Sequence, residues 1–130
     1  MRRLSAALIL IISLLITGLA IAGQFEDAIQ AYQLGEFKTA YRLFKPLAEQ
    51  GLPEAQHNLG LMYVNGQGVS QDYAEAVMWY RKAAEHGVAL AQNNLGIMYR
   101  KGQGVPPSPV AHFHRISTRP RKLPASQNER

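Results

Sequence analysis

The chain opens on an apolar run, Leu4 to Ile16, and only beyond residue 24 do apolar and polar positions settle into a helical period. In the clearest stretch Ala55, Leu59, Met62 and Tyr63 follow one another at spacings of four, three and one, the stripe of a buried helix face. Pro53 suits the opening turn, where no amide donor is needed, and Gly66 supplies the stop. A second stripe follows in Tyr73, Ala76, Val77, Tyr80, Ala83 and Ala84. Asp72 is placed to cap its start and Gly87 to end it. Small alanines at Ala55, Ala76, Ala83 and Ala84 allow the two helix axes to approach closely. Before this pair, Phe25–Leu34 and Phe37–Gln50 read as another pair around Gly35, and Pro46 predicts a kink or an irregular turn in its second member. After it, Ala89–Arg100 reads as a fifth helix.

The stripes repeat. Residues 55–69 and 91–105 align at a constant offset of 36, with eleven of fifteen positions identical. An earlier, weaker copy keeps the same offset: Ala40, Ala48, Glu49 and Gly51 match Ala76, Ala84, Glu85 and Gly87, and Phe44 faces Tyr80. A period in this range is the mark of stacked supersecondary units that bury their faces against one another.

One unit carries Ala55, Leu59, Gly60 and Tyr63, then Gly66, Gly68 and Val69, then Asp72, Tyr73, Ala76, Trp79, Tyr80, Lys82, Ala83, Ala84 and Gly87. This unit resembles the Sel-one-like repeat family, a relative of the tetratricopeptide repeat, almost end to end. A half unit at Ala91–Val105 matches as well, and the Gly35, Ala40 and Phe44 unit is closer to a plain tetratricopeptide repeat. The resemblance implies an all-α fold, an α/α superhelical solenoid of helix-turn-helix repeats. It also implies a role in binding proteins or peptides, often as an adaptor or assembly factor. Some bacterial members are exported and act on host or envelope proteins. A cysteine-rich subgroup binds penicillin-like compounds; this chain has no cysteine, so that activity is not carried over.

The N-terminal run changes the picture of where the repeats work. Arg2 and Arg3, the apolar centre and the small residues of Ala20-Ile21-Ala22 stand in the order of a secretory signal, with Thr17 and Gly18 expected to break the run. We therefore divide the chain into a signal peptide over residues 1–22, helical repeats over 24–105 and a Pro-rich basic tail over 106–130, expected to be disordered. Cleavage is expected after Ala22. Left uncut, the 19 residues Leu4–Ala22 are long enough to span a bilayer, with the repeats outside in either case. The expected location is the periplasm or the medium.

Charge follows the same division. The net charge is +5, but residues 24–105 carry seven basic and eight acidic side chains, and the excess lies in the two ends. The repeats thus present no basic footprint for phosphates, and no nucleic-acid partner is expected.

Differences between the two copies suggest where a partner touches. His57/Asn93, Leu61/Ile97 and Val64/Arg100 differ, and positions 57, 61 and 64 share one helical face. First helices of such solenoids line the concave surface. His57, Leu61, Val64, Asn93, Ile97 and Arg100 are therefore the candidate partner-binding strip. An exposed face free to drift gives the same pattern.

Chemistry is thinly represented. Gly66-Gln67-Gly68 follows a helix and lacks the third glycine of a dinucleotide loop, so it reads as a turn. His57 and His86 fall on different helices, and His86 precedes the closing Gly87. His112 and His114 have no third ligand nearby. Glu75 and Glu85 are ordinary helix carboxylates, and Trp79 occupies a packing position. No serine has a visible histidine–carboxylate arrangement. The expectation is a protein that is not an enzyme and uses no metal and no cofactor; an envelope acyl hydrolase is the alternative.

After Val105 the repeat stops. Pro106, Pro107 and Pro109, then basic residues, stand where the next Asp-Tyr, Ala and Trp-Tyr are due. Either the exposed edge of the fifth helix packs on another copy or on a partner, or the product is truncated by a shift of frame.

Overall fold

The structure, a computed structural model, describes residues 5–105. The expectations for 106–130, His112 and His114 among them, lie outside the described residues. Five α-helices follow in order: α1 Ala6–Gln33, α2 Phe37–Glu49, α3 Pro53–Asn65, α4 Tyr73–Glu85 and α5 Ala89–Lys101. No strand occurs among the described residues. Each helix packs chiefly against its neighbours in sequence, the arrangement of an α/α solenoid.

The boundaries have local causes. Pro53 opens α3, and Gly66, at φ +64°, ends it in the left-handed conformation with its amide donating to the Met62 carbonyl. The Asp72 carboxylate accepts from the Glu75 amide at 3.1 Å and caps α4. Fully buried Phe44, Leu47, Leu59, Met62 and Tyr80 form the centre of the core. Each buried side chain of this size contributes about 1.5–3 kcal/mol relative to exposure.

Contacts recur with the repeat. The Gln56 side chain donates through Nε2 to the Ala48 carbonyl at 3.1 Å, and Gln92 does the same to Ala84. Gly68 lies so close to the Phe37 carbonyl that a Cβ would collide with it, and Gly104 stands in that relation to Tyr73. In both cases the loop after a first helix rests on the start of the preceding second helix. The offset of 36 is thus an offset in space as well as in sequence.

Two elements differ from expectation. The helix expected over Phe25–Leu34 starts far earlier: α1 runs from Ala6 to Gln33 as one helix of 28 residues, through Thr17 and Gly18. The Thr17 hydroxyl donates back to the Ser13 carbonyl at 2.8 Å, which satisfies it inside the helix, and a lone glycine costs a helix only about 1 kcal/mol. Its first part is bare, from Leu8 to Leu19, whereas Ile21, Phe25, Ala28, Ala31 and Tyr32 pack on the core. Phe25 meets Phe44 edge to face at 5.9 Å. Pro46, in turn, does not interrupt α2. Pro46 and Arg42, whose carbonyl loses its amide partner, are both exposed residues.

Candidate binding surface

The six strip residues lie on α3 and α5, the first helices of consecutive units, and differ in how far the fold engages them. His57 is half-buried. Its ring centroid lies 5.7 Å from that of Tyr80, and its Nε2 lies 3.4 Å from the Asn94 side-chain nitrogen on α5. With that amide as donor, Nε2 must be unprotonated. Burial pulls the same way and lowers the His57 pKa below its ordinary 6.5. Beneath it, burial pushes the Tyr80 phenol up to about 12, against a smaller opposite pull from Asn94. Val64 is half-buried and packs on the core.

Leu61 and Ile97 are half-buried too but stand outside the core cluster, while Asn93 and Arg100 are exposed. The strip therefore separates into an engaged pair, His57 and Val64, and four accessible residues. Asn94 bonded to His57 brings α3 and α5 side by side. Leu61 and Ile97 stand at equal register on the two helices.

The remaining candidates take structural places. Gly66-Gln67-Gly68 is a turn: both glycines have positive φ, the Gln67 amide donates to the Met62 carbonyl, and its side chain accepts from the Tyr32 hydroxyl at 2.9 Å. His86 is exposed at the end of α4. Trp79 is buried with Lys82 Nζ 4.6 Å above its ring. Tyr41 and Tyr63 share a hydroxyl–hydroxyl hydrogen bond of 2.9 Å, and burial first, then that bond, raises the Tyr63 pKa. No three His, Asp or Glu side chains among the described residues come together in a way that could hold a metal ion.

Gly60 was read as a motif position, but its packing role was not. It lies mid-helix, and a Cβ there would sit 2.8 Å from two carbons of the Tyr80 ring, so the ring of α4 rests directly on the backbone of α3. The signal was present: a mid-helix glycine at the same register in two copies, Gly60 and Gly96, carries a propensity cost that close packing offsets.

The Sel1 repeat family pattern matches residues 53–88 and 89–111. An uncharacterized protein of Neisseria meningitidis serogroup B is 52% identical over 42 residues, which is 32% of this chain and 9% of that protein. Among solved structures, a protective antigen present in uropathogenic Escherichia coli strains, displaying an SLR fold, superposes with a TM-score of 0.61 at 46% identity, over 65% of this chain and 19% of that one. A Sel1 repeat protein from Oxalobacter formigenes superposes with a TM-score of 0.59 at 38% identity, over 62% of this chain and 33% of that one. The chain thus spans a third or less of the length of each of these relatives. Residues 53–111 thus match two Sel1 repeats, and helices α3 to α5 stack as an α/α solenoid like that of the SLR-fold structures.

Proposed function

We propose that the protein is an exported interaction module that binds a protein or peptide through the face shared by α3 and α5. Sel1 repeats typically mediate protein–protein interactions and are generally non-catalytic scaffolds. The observation that carries the choice of face is the pair Leu61 and Ile97: two apolar side chains at matched register on adjacent first helices, neither belonging to the core. Apolar residues grouped on an accessible face are the usual anchors of a partner. Asn93 and Arg100 supply polar contacts beside them, and His57 and Val64 support the strip from below.

The double substitution Leu61→Asp and Ile97→Asp tests this. A partner cross-linked from an envelope extract by the unaltered chain is lost on the variant, while circular dichroism stays helical and the melting midpoint barely moves. Unchanged capture by a folded variant removes the strip from consideration.

Export rests on the N-terminal part of α1, which is long and apolar enough to cross a membrane and is uncovered by the fold. Residues 1–22 act as a signal peptide in this reading. Sequencing the N-terminus of the mature protein is expected to give Gly23; Met1 or Arg2 instead marks an uncut anchor.

A further inference from the structure

Helix α5 keeps the packing residues of α3, Ala91, Leu95, Gly96, Met98 and Tyr99, without keeping all their surroundings. Leu59 is fully buried and Leu95 only half; Tyr63 is 9% exposed and Tyr99 44%. The sharpest contrast is at the glycines. The backbone notch at Gly60 holds the Tyr80 ring, whereas among the described residues a Cβ at Gly96 would meet only the end of the Arg100 side chain, at 3.9 Å. The loop that follows α5 nevertheless repeats the earlier one. Gly102 and Gly104 have φ +67° and +69° against +64° and +71° at Gly66 and Gly68, and Gly104 rests on Tyr73 as Gly68 rests on Phe37. The interface between α3 and α4 is therefore prepared a second time on α5. Beside it a groove of about 430 Å³ runs along α4, lined by Val77, Met78, Arg81 and Glu85 with Gly104 and Val105. Arg81 bonds the Tyr99 hydroxyl at 3.0 Å and joins the groove to the notch.

The template for what fits is α4 itself, which turns fully or almost fully buried Ala76, Tyr80 and Ala83 inward. At the same register this chain carries His112, Ile116 and Arg119. A histidine and an arginine in spaces that alanine fills bring excess volume and a charge without a partner. A second copy cannot supply the helix from α4, because those residues are already buried in its own fold. We propose that the flank formed by α5 and the outer side of α4 is a docking site for an amphipathic helix of another protein. That helix presents an aromatic side chain to the Gly96 notch, with a small residue four positions before it and another three positions after. This site is separate from the strip of Leu61 and Ile97.

A fluorescent peptide with the sequence of residues 72–87 carries the required pattern and serves as the probe. It is titrated by anisotropy against the full chain in mild detergent, with micelles alone as the blank. Saturable binding at one peptide per chain is expected. Tyr80→Ala in the peptide, or Gly96→Ala in the chain, weakens it about tenfold or more, while the Gly96→Ala chain remains helical and melts no lower than the parent. The Leu61→Asp and Ile97→Asp chain binds the peptide undiminished. Absence of saturable binding, as when residues 106–130 or a second copy cover the flank, overturns the proposal. Equal affinity for the Gly96→Ala chain, as when the peptide merely displaces α4, overturns it too.

Discussion

Glycine inside a helix costs about 1 kcal/mol relative to alanine, and here one residue type at one register has opposite consequences. At Gly60 the added methyl would press into the Tyr80 ring at 2.8 Å, in a part of the core where little can move. Gly60→Ala is expected to destabilise by about 1–3 kcal/mol. At Gly96 the methyl meets only the flexible end of Arg100, and Gly96→Ala is expected to stabilise by up to about 1 kcal/mol. Urea unfolding of the two variants measures both signs. His57 carries a second residue-scale consequence. Burial lowers its pKa in the folded chain, so as pH falls the unfolded chain takes up the proton first. Stability therefore decreases as pH drops through the ordinary histidine value, and the loss is complete below the folded one. Melting midpoints recorded between about pH 7.5 and about pH 5 should show this slope. His57→Asn, which installs the residue that the next copy holds at position 93, should flatten it.

Between helices the decisive contacts are those of the loop glycines. Gly68 combines φ +71° with a near approach to the Phe37 carbonyl, so Gly68→Ala is strained twice over and should cost more than about 1 kcal/mol. The loss should fall on the junction of α1 and α2 with α3, where Tyr32 holds Gln67, and hydrogen exchange should rise there first. Much of this arrangement was legible in the chain. Constant spacing placed α3, α4 and α5 within a residue of their observed ends, and Ala55, Leu59, Met62, Tyr80 and Ala83 on their buried sides. What escaped has physical reasons. Pro46 was expected to bring a kink or an irregular turn, but α2 runs on through it without a turn, and periodicity alone does not show that Pro46 and Arg42 are exposed. A helix was expected to begin at Phe25, because the signal pattern was read apart from the repeats, whereas α1 begins at Ala6. Variation between copies was read as a partner-binding strip. At position 57 the surroundings differ as well: His57 has Tyr80 and Asn94 beside it, while Asn93 is exposed. Copy-to-copy differences mix a partner's demands with those of the next repeat, and sequence alone does not separate them.

Among the described residues, the middle of the stack is better covered than α5, as the burial of Leu59 and Tyr63 against that of Leu95 and Tyr99 shows. Stability in such a stack is a sum over neighbouring units, so the α5 end should open first. The near end is fastened differently. Ile21 packs on the core although it lies on the leader side of the expected cut after Ala22, so processing removes a packing contact along with the leader. Without processing, the joint has a mechanical meaning. No loop separates the lipid-compatible turns of α1 from those that hold Phe44, so the repeats would be carried on a stiff mast rather than a tether. Inserting one residue between Ala20 and Phe25 would swing the whole stack by about 100° around the membrane normal and raise it about 1.5 Å. Height and heading above the bilayer would then be set by helix length alone.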